Sequence, residues 1–109
     1  MYDIDLFLKN IDYVVKHGDE PEMVLGLKDG TCIEFICYAD FIDAYMDDDY
    51  CKYSSIYDFV DNLKIKGKSL RECWQDVVHI EDDLSMIDFS KTPEEQFCVG
   101  GSSIRVNLE

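Results

Sequence analysis

The chain predicts a single small α+β domain spanning residues 1–109, with an N-terminal helix, a β-hairpin turning on an Asp-Gly pair, two or three further helices and one or two additional strands. Three observations carry that expectation. Apolar residues recur at helical spacing near the start, and two runs of strand-forming residues flank Lys28-Asp29-Gly30. The chain is also 47% hydrophobic and 13% aromatic, far from the composition in which high net charge means disorder. At this length it makes one core, with a radius of gyration of about 13 Å.

Ile4, Phe7, Leu8, Ile11, Val14 and Val15 share one helical face, which predicts a helix over about residues 4–16. Asp3 and Asp5 suit the positive end of its dipole, and Lys16-His17-Gly18 supplies basic residues and a glycine stop. The hairpin comes next. A two-residue type I′ turn at Asp29-Gly30 would place Met23, Leu25, Leu27, Cys32, Glu34 and Ile36 on one face, with Val24, Gly26, Ile33, Phe35 and Cys37 on the other. Residues 39–50 read either as a short helix capped by Asp40 or as an acidic loop. Ser54 or Ser55 then caps a helix striped by Ile56, Phe59, Val60 and Leu63 and closed by Lys66-Gly67-Lys68. Ser69-Leu70-Arg71-Glu72 is a capping box that opens a third helix with Leu70, Cys73, Trp74 and Val77 inward, and Val77-Val78-His79-Ile80 leaves it as a strand. Pro93 sits at a first-turn position. Gly100-Gly101-Ser102-Ser103 reads as a joint before a last strand over 103–108.

Charge is the feature with functional content. Asp and Glu number 24 against 10 Lys and Arg, a formal net of −14. The distribution is uneven: 13 acids against 3 bases over residues 1–50, 4 against 5 over 51–80, and 7 against 2 over 81–109. Such a field repels nucleic acid and anionic membrane and attracts a partner whose working surface is rich in Lys and Arg. No apolar run approaches a membrane span, and Met1-Tyr2-Asp3-Ile4-Asp5 lacks the basic start of a signal peptide, so a cytoplasmic protein is expected. Five cysteines without metal-ligand spacing read as reduced, buried thiols.

Asp40, Asp43, Asp47, Asp48 and Asp49 form the densest acidic run. On a helix, Asp40, Asp43 and Asp47 would share a face with about 6 Å of rise per four residues, within a factor of two of the phosphate repeat of a nucleic-acid strand. Glu81, Asp82 and Asp83 would make a second row. Tyr45 and Tyr50 beside the first row suit a protein interface, since tyrosine brings contact area at low entropy cost and stacks on arginine. Other chemistries fail on spacing. A calcium loop begun at Asp47 puts Lys52 where glycine is needed, and Cys32 and Cys37 are five apart on a strand and so face opposite ways. Cys73 lies on an apolar stripe, and Gly100-Gly101 lacks the lysine and helix of a phosphate loop. Neither catalytic residues, nor a metal site, nor a cofactor is expected. Lys64, Lys66, Lys68 and Arg71 bracket a solvated turn, and docking of that turn on the acidic ends of a second copy would give a homodimer.

In size, charge and acidic clusters on an α+β frame, the whole chain resembles the small acidic inhibitors of phages and mobile elements. These include DNA mimics such as anti-restriction proteins and many anti-CRISPR proteins. They share no sequence motif, so no residue's role is carried over from them. The resemblance implies a basic protein as partner, a nuclease or CRISPR effector whose nucleic-acid channel is lined with Arg and Lys. The Asp40 to Asp49 run and Glu81, Asp82 and Asp83 would stand in for phosphates. An immunity or antitoxin-like partner of a toxin nuclease, or a non-catalytic interaction module, would use the same electrostatics.

Overall fold

Helix α1 occupies Ile4–Lys16, the span its apolar spacing predicts. The Asp3 carboxylate caps it by accepting from the Asp5 N–H (2.8 Å) and the Leu6 N–H (3.2 Å). At the other end Gly18, at φ 96°, completes a Schellman motif: its N–H donates to Val15 and the Asp19 N–H donates to Val14. The computed structural model of the protein describes residues 2–83 and 87–97. The Gly100-Gly101 joint, the strand expected over 103–108 and Cys98 lie outside the described residues.

The sheet is fully antiparallel. Strand β1 (Glu22–Leu27) pairs with β2 (Cys32–Cys37), β2 with β3 (Ile42–Met46), and β3 with β4 (Asp49–Tyr53). Helix α2 (Ile56–Asn62) comes next, then a small hairpin of β5 (Lys64–Ile65) and β6 (Lys68–Ser69), and a 3-10 turn at Trp74–Asp76. Strand β7 (Val77–Asp82) returns to lie beside β1, giving the order β4-β3-β2-β1-β7. A last short helix, α3 (Pro93–Gln96), opens with Pro93 in its first turn and a Thr92/Glu95 capping box. The α+β class therefore holds, with a larger sheet than the hairpin and one or two strands.

Residues 39–50 supply part of that difference, for they are neither helix nor acidic loop. Ile42 and Ala44 are buried, whereas Asp43 and Tyr45 turn outward, so the alternation of a strand overrides the helical reading. Pairing with β2 satisfies the backbone of this segment, and Asp40 caps nothing. The Ser69/Glu72 capping box does form, with bonds of 2.8 and 3.1 Å, but it opens no α-helix. Tertiary bonds from the Leu70 N–H to Leu63 and from the Arg71 N–H to Val60 hold that backbone, and the chain must reach β7 within a few residues.

The hairpin register also differs from the two-residue expectation. The Leu27 N–H donates to the Thr31 carbonyl (2.9 Å) and the Gly30 N–H to Leu27 (3.0 Å), which closes a three-residue loop. Gly30 alone takes positive φ, at 93°, as in a type I turn ending in a glycine bulge. The type I′ turn lies instead at Lys66-Gly67, where both φ angles are positive (53° and 86°). One extra loop residue reverses the parity of β2 against β1. Met23, Leu25, Leu27, Ile33, Phe35 and Cys37 therefore share the buried face.

That face carries the core. Phe7 of α1 meets Phe35 edge-on at 6.4 Å, and lies 4.8 Å from Trp74 and 5.6 Å from Phe89. Phe59 of α2 packs on Phe35 at 4.6 Å. The Trp74 Nε1–H donates to the Tyr2 carbonyl, so the aromatic core also holds the start of the chain. Asn10 is wholly buried and fully used: its amide donates to Leu6 and Lys91 carbonyls (2.9 and 2.8 Å) and its oxygen accepts from Gln96. Both helices lie on one side of the sheet. Its other face carries no described helix.

Replacing Gly30 by Ala puts a Cβ on a left-handed residue and is expected to cost about 1–2 kcal/mol in urea unfolding. Gly26→Ala should cost less, since its backbone is ordinary and its Cβ would meet His79 at 3.4 Å. Equal costs would mean that the bulge does not set the hairpin.

Candidate functional site

The open face can be read directly from the strand register. One row across the sheet runs Tyr50, Tyr45, Glu34, Val24 and Glu81. The next runs Lys52, Asp43, Ile36 and Glu22, and ends at Asp83, whose N–H donates to the Glu22 carbonyl at 3.0 Å. Neighbouring strands stand about 4.8 Å apart and successive outward residues about 7 Å apart along a strand, so these side chains form a small grid. Between them lies a shallow depression of about 390 Å³, floored by Val24 and Ile36 and rimmed by Glu22, Glu34, Glu81 and Tyr45.

Its acids are largely unanswered by cations. The Glu34 carboxylate has no hydrogen-bond or ion-pair partner among the described residues, and that of Glu81 has only His79, with 3.6 Å between Oε2 and Nε2. Lys52, the lysine of this face, is drawn over the Phe41 ring at 4.4 Å. Lys16, Lys28, Lys66, Arg71 and Lys91 pair with Asp12, Asp76, Asp29, Asp61 and Asp88 elsewhere. Lys64 and Lys68 act on Glu72, whose carboxyl is held below the usual range first by its bonds to Ser69 and then by these lysines. The cations of the basic turn thus face carboxylates of their own chain.

Two tyrosines flank the acids. Tyr45 and Tyr50 are 46% and 51% exposed, with ring centroids 5.1 Å apart, a large aromatic surface left in water. The Tyr50 hydroxyl donates to the Asp43 carboxylate. That bond, aided by some desolvation and by the Asp43 charge, pushes the phenol up to about 12. It fixes one ring against the sheet.

The expected acidic sites divide. Asp43, Tyr45 and Tyr50 do meet on the open face, and Glu81 and Asp83 join them from the far edge. Asp40 lies in the turn between β2 and β3, and Asp47 and Asp48 lie in the turn between β3 and β4 at the other end of the strand, roughly 17 Å away for a five-residue strand. The helical row of Asp40, Asp43 and Asp47 therefore does not exist. Asp49 opens β4 opposite Met46, and Asp82 is half-buried opposite Met23, off the parity of the open face. Glu22 and Glu34 were not expected as site residues. They become visible as such once the loop is counted as three residues, because Glu34 then leaves the face of Met23 and Leu25.

Other places offer less. A larger groove of about 790 Å³ runs beside Tyr2, Leu6, Val78 and Phe89, but its acids Asp3 and Asp88 are occupied in capping α1 and holding Ser90. Cys37 and Cys73 are buried as expected, whereas Cys32 and Cys51 are exposed near the ends and edge of the sheet, and burial pushes the Cys37 thiol up to about 12, away from nucleophilic use. Among the described residues no group of three or more His, Cys, Asp or Glu converges as a metal site requires, and no helix is long and apolar enough to cross a membrane. No protein-family model, no curated protein and no solved structure matches the chain.

The Asp43 bond can be read by NMR titration of the tyrosine Cζ resonances. Asp43→Asn should bring the Tyr50 midpoint from about 12 down toward 10. Because the folded value is raised, the bond's stabilisation is complete below pH about 10 and lost as pH rises through about 12. An unchanged midpoint in the variant would remove the contact.

Proposed function

We propose that the chain is a protein-binding inhibitor that occupies the basic nucleic-acid-binding surface of a nuclease or CRISPR effector. The observation that carries this reading is the open sheet face, where Glu22, Glu34, Asp43, Glu81 and Asp83 stand near the exposed Tyr45 and Tyr50 and form no ion pair with a Lys or Arg among the described residues. On a chain of net −14, that face is the place where acids and contact area coincide. The field steers a basic partner to the molecule, and the tyrosines, Val24 and Ile36 give the encounter an apolar contact to close on. Mimicry here lies in the sign and extent of the charge, displayed on a flat sheet rather than along a helix. The inhibitor works by occupancy, so it needs no chemistry of its own.

Asp47 and Asp48 project from the β3–β4 turn beyond this face and act at a distance. They add to steering more than to the closed contact.

The test is DNA cleavage by a panel of purified nucleases and a CRISPR effector, with the chain added before or after the DNA. Inhibition should appear when it is added first, and its midpoint should rise at least about tenfold between 50 and 250 mM salt. The triple variant Asp47→Asn, Asp48→Asn, Asp49→Asn should slow association about two- to fivefold, whereas Glu22→Gln, Glu34→Gln, Glu81→Gln should abolish inhibition. Inhibition that is indifferent to salt and to the second set would exclude occupancy by this face.

A further inference from the structure

We infer that the depression on the open sheet face is a seat for an arginine side chain of the protein partner, in preference to lysine. This rests on the reading that a basic protein docks on that face, and it names the group that anchors it.

Val24 lies at the centre, paired across the sheet with Glu34 on one side and Glu81 on the other. The two glutamates are thus two strands apart, roughly 10 Å between backbones, with flexible side chains that can close on a group lying over Val24. Beyond Glu34 stands Tyr45, in register with it and backed by Tyr50. The seat therefore has an apolar floor, an aromatic wall and two carboxylates, and no Lys or Arg among the described residues lines it.

An ammonium group fits these surroundings poorly. It is a compact, strongly hydrated charge, and an apolar floor strips part of its water without replacing it. A guanidinium is planar and weakly hydrated: its faces lie on Val24, Ile36 or a tyrosine ring while its edges donate to carboxylates on both sides. The charge of the face attracts either cation. Its apolar and aromatic parts distinguish them.

The proposal is tested on the full chain by amide NMR titration with three peptides identical except at two positions, which carry arginine, lysine or the neutral isostere citrulline. The arginine peptide should shift Val24, Glu34, Tyr45 and Glu81 and bind at least about fivefold tighter than the lysine peptide at 150 mM salt. Citrulline should bind weakest. Glu34→Gln with Glu81→Gln should weaken both cationic peptides, Tyr45→Ala should remove the preference, and Tyr45→Phe, which keeps the ring, should retain it. Equal affinity for arginine and lysine, shifts centred on Asp47 to Asp49, or no binding of either cationic peptide would overturn the assignment. The first two results leave occupancy of a basic surface intact. An arginine preference with no protection of any nuclease channel would instead overturn the proposed function and keep the seat.

Discussion

Everything on the two faces of the sheet depends on the parity set by one loop. Lys28-Asp29-Gly30 spans three residues because Gly30 accepts a left-handed backbone, and the Thr31 N–H donates to the Asp29 carboxylate at 2.9 Å to hold the turn. The Asp29 carboxyl is held far below the usual range, first by Thr31 and then by Lys66. With a two-residue loop, Phe35 and Ile33 would sit opposite Val24 and Gly26, and Glu34 would enter the layer of Met23 and Leu25. Burying that carboxylate without a partner would cost more than the fold of a chain this size can spare. The register thus separates two surfaces, one apolar enough to hold the domain together and one that presents carboxylates and tyrosines to water.

Self-repulsion at −14 is distributed accordingly. Several acids serve the fold: Asp3 caps α1, Asp58 accepts from Ser54 and Asn62, and Asp88 from Ser90. Their carboxyls are neutralised in part by N–H and hydroxyl dipoles, as the lowered values at Asp58 and Asp88 reflect. The acids of the open face have fewer such duties: Asp43 accepts from the Tyr50 hydroxyl and Asp83 from the Glu22 N–H. Their repulsion is tolerated because the opposite face buries Phe7, Phe35, Phe59 and their neighbours, each worth about 1.5–3 kcal/mol in transfer from water.

Local signals were legible wherever a side chain caps its own element. Asp3, Gly18, Ser55 and Pro93 all mark boundaries that the structure keeps. The Ser69/Glu72 box shows the limit of such signals, since its bonds form while tertiary contacts set the path of the next residues. Residues 39–50 were opaque for a related reason. Aspartates mask the alternation of Ile42, Asp43, Ala44 and Tyr45, and only the waiting edge of β2 makes a strand the better partner. The site was half legible: Asp43, Tyr45, Tyr50, Glu81 and Asp83 stood out by charge density and aromatic clustering. Glu22 and Glu34, isolated among apolar neighbours, gained meaning only from cross-strand pairing, which no local window contains.

The buried Asn10 gives the order of assembly an unusual shape. Its amide is satisfied by Lys91 and Gln96, and the ring of Phe7 one turn earlier is covered by Phe89. Helix α1 is made before the strands and helices it packs on, yet its inner face has no complete surroundings until the chain has been made as far as Gln96. β1 likewise waits for β7. The described domain is therefore closed by its own later residues, and a growing chain must carry an unfinished helix from Lys16 to Gln96 and an unfilled sheet edge from Leu27 to Asp82. Truncation near residue 90 would leave most of the charge in place and strip the partners of Asn10 and the cover of Val14 from the inner face of α1.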